Sequence, residues 1–218
     1  MQRSNAWLVP LTGVAFVVVG FISFVIAGEP KSADDPVNEI VKFYVDNKDS
    51  VEVGAIVGMA ATVLLVFFAA YLRGFLREAA GPNDTLSLVS FIGLVLVAVG
   101  FAIDGTIQFA LAEAVDDIDP VAVQALQALW DNDFLPIILG VELFLWSTGI
   151  LIIKTGAFPK PLGWGMLLFA VIGFTPIGFI SGIVAALLVV VLSIRLSLLA
   201  RSGPGAPPPG PGPVEGVG

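Results

Sequence analysis

The chain has 218 residues, of which 57% are hydrophobic and only 13% charged, with 18 acidic residues against 10 basic ones. A soluble globular domain carries roughly 25% charged residues, so a chain this apolar cannot cover itself with polar surface and takes the lipid bilayer as its solvent. No basic patch is present for nucleic acid. The absence of Cys excludes disulfides, zinc–thiolate sites and thiol catalysis, and the absence of His removes the commonest metal ligand and general base. The expectation is a non-enzymatic membrane protein with no cofactor and no metal site.

A membrane-spanning helix needs roughly 20 apolar residues. Ala6 to Gly28 is uncharged and gives the first run. A signal peptide is the alternative there, but the run is longer than a typical apolar region of roughly 7–15 residues, and no clear cleavage site follows. Val53 to Leu72 is the second run. Leu86 to Ala112 is the third, interrupted only by Asp104, and Phe134 to Ile153 the fourth, interrupted only by Glu142. Pro161 to Ile194 is uncharged and too long for one span; Pro176, Gly178 and Gly182 place a turn in its middle, the alternative being one long tilted helix. The expected fold is all-α: a polytopic transmembrane bundle of six spans in three antiparallel hairpins, over residues 6–28, 52–72, 86–112, 134–154, 161–178 and 180–200. The Pro- and Gly-rich stretch 202–218 is expected to be a disordered tail.

Two amphipathic helices are expected in the loops on one side. Asp35-Pro36 and Asp119-Pro120 each place an N-cap acid before a first-turn proline. Val37, Ile40, Val41, Tyr44 and Val45 then share one face, as do Ala122, Ala125, Leu126, Leu129 and Trp130. Each helix closes in an acidic turn, Asp46–Asp49 or Asp131–Asp133, before the next span. Spans one–two and three–four therefore look like two copies of one unit, a pattern found in some transporters, although hairpins with acidic loops share it trivially. The helices are expected to cap the bundle, because their acidic faces do not suit anionic lipid. Gly81-Pro82-Asn83-Asp84 is a tight turn joining antiparallel neighbours.

Charge sets the orientation. Arg3, Arg73, Arg77, Lys154, Lys160, Arg195 and Arg201 fall on one side of the six-span topology and only Lys31, Lys42 and Lys48 on the other, so both termini are expected in the cytoplasm. Trp7, Tyr71 and Trp164 would mark the inner interface, Tyr44 and Trp130 the outer one.

Asp104 and Glu142 are the candidate site. Each lies eight residues from the outer end of its span, or about 12 Å deep at 1.5 Å per residue. Antiparallel neighbours would then carry two carboxyls at matched depth. Gly93, Val97, Gly100, Asp104, Gln108 and Leu111 form one stripe of small and polar residues, and Glu142 shares a stripe with Ile138, Trp146 and Gly149. Gln108 could hydrogen-bond either acid. Such a pair could couple ion or proton movement in a transporter or channel, perform acid–base chemistry, or hold helices together. Gly54–Gly58 and Gly178–Gly182 have the G-x-x-x-G spacing of helix-packing faces and could support a homo- or hetero-oligomer.

The stretch Phe158-Pro159-Lys160-Pro161-Leu162-Gly163-Trp164-Gly165 resembles the basic-Pro-Leu-Gly-Trp entry to the fifth span of small bacterial multi-pass proteins in domain-of-unknown-function families. The loop helix Glu39-Ile40-Val41-Lys42-Phe43-Tyr44 and the span end Tyr71-Leu72-Arg73 resemble them too. The resemblance covers the chain up to about Arg201. It implies a bacterial plasma membrane location and little more, with no functional residues to carry over; the expected role, an accessory or structural membrane component, comes from the chain's own residues.

Overall fold

In water-free surroundings a backbone must satisfy its own hydrogen bonds, and long apolar runs do so as helices. The computed structural model describes residues 6–175 and 177–202, and every regular element among them is helical. A 3-10 turn over Ala6–Leu11 leads into α1 (Thr12–Ala27), followed by α2 (Val37–Ala80), α3 (Leu86–Ala114), α4 (Pro120–Trp130), α5 (Leu135–Thr155), α6 (Lys160–Ile172) and α7 (Phe179–Ser202). The tail expectation beyond Ser202, together with Arg3 and Pro176, lies outside the described residues.

Among the described residues, five helices are long and apolar enough to cross a membrane. The uncharged run after Pro161 does break in two, but the break starts at Gly173 and leaves α6 with 13 residues. These cover about 20 Å at 1.5 Å per residue, against a hydrocarbon core about 30 Å thick.

The first loop helix meets the second span at a kink rather than across a loop. The 44 residues of α2 are two helices joined at Asn47, which is non-helical at φ −118° and ψ 15° and lies inside the expected turn Asp46–Asp49. That turn contains neither Gly nor Pro, so the helix resumes at once; the Asn47 side chain donates to the Phe43 carbonyl. The equivalent turn after Trp130 is a true break, because Pro136 opens a new helix in the first turn of α5. The two expected caps also differ. Asp119 Oδ1 accepts from Val121 N at 2.8 Å, whereas Asp35 turns back to accept from Ser32 N at 2.9 Å and does not cap α2.

Consecutive long helices pack side by side: α1 on α2, α2 on α3, α3 on α5 and α5 on α6. The turn at Gly81 is as expected, with Asp84 accepting from Leu86 N and Ser87 N to open α3. Glycines set the closest approaches. A methyl group at Gly140 would fall 2.5 Å from the Gly93 carbonyl, and one at Gly163 2.8 Å from the Gly149 carbonyl. The Gly54–Gly58 face is filled within the chain by Ala27 and Ser23 of α1, and Ser23 Oγ donates to the Gly54 carbonyl at 2.8 Å. Gly178 lies in the turn before α7, against the Gly173 carbonyl. α7 returns to the start of the chain. Ser193 Oγ donates to the Pro10 carbonyl and accepts from Val14 N, and the Arg201 guanidinium lies 3.8 Å from the Trp7 ring centroid.

One end of the bundle carries a second core, built from the first turns of α2, the last turns of α3 and α4. The loop helices do cap the bundle. Tyr44 is fully buried there and is not an interfacial ring. Its hydroxyl donates to Gln127 Oε1 at 2.7 Å; Gln127 Nε2 donates to Asp131 Oδ1 at 3.0 Å; and Asp131 Oδ2 accepts from Ala33 N at 2.7 Å. Burial, together with the charges of Asp131 and Asp104, pushes the Tyr44 hydroxyl above its ordinary range. The inward face of α4 is therefore Val123 and Gln127; Ala122, Ala125 and Leu129 are exposed. A hydropathy pattern placed Gln127 outside because it could not register two waiting partners.

Gly140→Ala is expected to destabilise the bundle by about 1–3 kcal/mol, because its methyl meets backbone that cannot rotate away. Gly20→Ala, which meets open space, is the control, and thermal unfolding in detergent compares them. Tyr44→Phe leaves Gln127 short of a donor in a buried site and should lower stability by about 1–3 kcal/mol in the same measurement.

Candidate functional site

Helix register separates the two acids. On α3, Gly100 packs against Ile137 of α5. Asp104 lies four residues from Gly100 in one direction, and Glu142 five residues from Ile137 in the other. These nine residues of antiparallel stagger amount to about 13 Å along the axis. The matched depth expected from the span ends does not hold, because the ends are not level. α3 runs on to Ala114 and contributes Leu111 and Ala112 to the cap, beyond the start of α5.

Asp104 belongs to the base of the cap. It is half-buried and faces Trp130 and Asp133. The Trp130 indole N–H is directed at the Asp104 carboxyl, Asp133 Oδ2 is buried without a hydrogen-bond partner, and burial pushes the Asp133 carboxyl above its ordinary range. Gln108 lies a turn nearer the end of α3 and does not bond to Glu142, whose oxygens both lack a partner.

Glu142 is the deeper group, at 3% exposure, and neither of its carboxylate oxygens has a hydrogen-bond partner. It points at the end of α6: a methyl group on Gly173 would collide with Glu142 Oε1. From Gly173 the chain leaves the helix, held by short turns in which Thr175 N donates to Ile172 O and Gly178 N to Thr175 O. Ser181 of α7 reaches back to donate to the Phe169 carbonyl at 2.6 Å, tying the two helices across the break. Non-helical backbone at membrane depth is tolerated where it is buried in protein or lines a cavity. Here it lines one of about 520 Å³ with Glu142, Thr175 and Ser181 among its walls and the exposed rings of Phe134 and Phe179 among its lining residues.

Two features of this arrangement favour positive charge at Glu142. An ionised carboxylate out of water and unpaired is unstable until a proton or a cation neutralises it. The C-terminal end of α6 adds the negative pole of a helix dipole on the same side.

No known protein family, curated protein or solved structure matches the chain. The local geometry therefore carries the functional argument alone.

Reading the sequence singled out Glu142 but missed its setting. Gly173, Thr175 and Ser181 are uncharged, and hydropathy treats them as span. The signal available was the Pro176–Gly178 break, which put turn backbone inside an apolar run. Glu142→Gln is expected to raise stability by about 1–3 kcal/mol near neutral pH, since it removes a buried charge and breaks no hydrogen bond. Chemical or thermal unfolding in detergent measures it, and a loss of stability would mark the acid as structural.

Proposed function

We propose that the chain is a non-enzymatic integral membrane protein of six crossings in which Glu142 takes up and releases a small cation, in the simplest case a proton. The fifth crossing is completed by α6 together with the turns at Thr175 and Gly178. The observation that carries the reading is the unpartnered Glu142 carboxyl at a helix break beside a cavity. Half-helix ends and unwound backbone at mid-membrane are how transporters build ion sites. The separation of Asp104 from Glu142 argues against an enzyme that needs two carboxyls acting together.

We further propose a bacterial plasma membrane location with both termini cytoplasmic. Arg73, Arg77, Lys154, Lys160 and Arg201 belong to the ends of helices remote from the cap. The cap's own lysines are held by acids: Lys31 by Glu39, Lys42 by Asp46 and Lys48 by Asp116. That asymmetry follows the positive-inside pattern and supports an orientation with the cap outside.

In liposomes carrying an internal pH dye, the protein should support a proton flux that Glu142→Gln abolishes and Asp104→Asn leaves in place. Equal flux through the parent and Glu142→Gln would overturn the carrier reading in favour of an accessory role. Single cysteines at Ser32 and Asn132 should label from outside intact cells and one at Asn83 should not; labelling at Asn83 reverses the orientation.

A further inference from the structure

The Glu142 cavity is not alone. A second cavity of about 130 Å³ lies between α1, α2, α3, α5 and α7, with walls that include Phe16, Leu94, Phe101 and Phe144. Ile137, Val141 and Gly182 line both spaces, so the two are neighbours. The site is therefore a largely apolar chamber that holds one carboxylate and two hydroxyls, with an apolar annex beside it.

Each part restricts what fits. The chamber offers one carboxylate with two free oxygens and repels anions. A hard divalent cation takes six or more oxygen ligands, and among the described residues no three acids gather to hold one. An organic ammonium needs fewer: one carboxylate for its charge, and aromatic faces, such as those of Phe134 and Phe179, for its alkyl shell. The annex is nearly the size of the engineered apolar cavity of about 150 Å³ that admits benzene, so it suits an aryl group and little more.

We propose that the joined cavities bind a lipophilic ammonium ion, its charged nitrogen at Glu142 and an aryl substituent in the annex beyond Gly182. This names a ligand class for the same carboxyl and rests on the cation-binding reading of Glu142. Gly182 is the natural gate residue, because nothing stands within 4 Å of where its Cβ would be.

The test uses the full chain in detergent, titrated calorimetrically at mildly alkaline pH with benzyltrimethylammonium and with neopentylbenzene, its uncharged isostere. The charged probe should bind at least about tenfold more tightly than the neutral one, the advantage expected of a charged contact. Glu142→Gln should erase that advantage without weakening neopentylbenzene. Gly182→Phe fills the junction, keeps Glu142, and should weaken both probes at least about tenfold. Equal affinity for the two probes, or no heat from either, overturns the proposal, as does unchanged affinity in a folded Gly182→Phe. The two readings fail separately. Proton flux that depends on Glu142 without ammonium binding removes only the ligand class; ammonium binding that depends on Glu142 without flux removes only the carrier.

Discussion

The backbone contact between Gly93 and Gly140 positions most of what matters in this bundle. With no side chains between them, α3 and α5 approach closely enough that a single methyl would force them apart. Ser90 and Thr148 share a buried hydrogen bond of 2.7 Å along the same seam. The other face of α5 is fixed as tightly, by Gly149 against Gly163 of α6. A helix clamped on two faces has one rotation left to it, and that rotation turns Glu142 toward the end of α6. The acid is inside because van der Waals packing on both sides holds it there, at an energetic disadvantage its own environment does not relieve.

The two ends of the molecule are stabilised by different physics. At the capped end, polar groups do the joining. Tyr44, Gln127 and Asp131 form a chain of hydrogen bonds from α2 through α4 to the loop at Ser32 and Ala33, and Gln124 adds a bond to the Ala33 carbonyl. Each member satisfies the next, which strengthens such chains in a low dielectric. At the other end, α7 is tied to the start of the chain through Ser193 and through Arg201 on Trp7. Between them lie the two cavities, one beside the turns that follow α6 and the other among α1, α2, α3, α5 and α7.

Much of the fold was legible in the sequence because hydropathy and helix punctuation act locally. The charge-free runs, the Gly81–Asp84 turn, the Asp119 cap and the presence of a break within the run after Pro161 all follow from short stretches of residues. What was not legible depends on register between helices. The depth of Asp104 relative to Glu142 is set where Gly100 meets Ile137, a contact that no count of residues to a span end contains. The inward turn of Gln127 depends on Tyr44, 83 residues away in the chain. The end of the first loop helix was legible as an acidic turn, and Asn47 does break the helical backbone there; that the next helix starts at once follows from the absence of Gly and Pro.

The contact between Glu142 and Gly173 also has an evolutionary meaning. No side chain of any size fits at 173 while a glutamate occupies 142 in this rotamer. The two positions are therefore bound by mutual exclusion across 31 residues of sequence. Among descendants of this chain, a lineage that retains the acid must retain the glycine, and one that admits even alanine at 173 must move or surrender the carboxyl. Covariation at these two sites would trace the history of the charge itself.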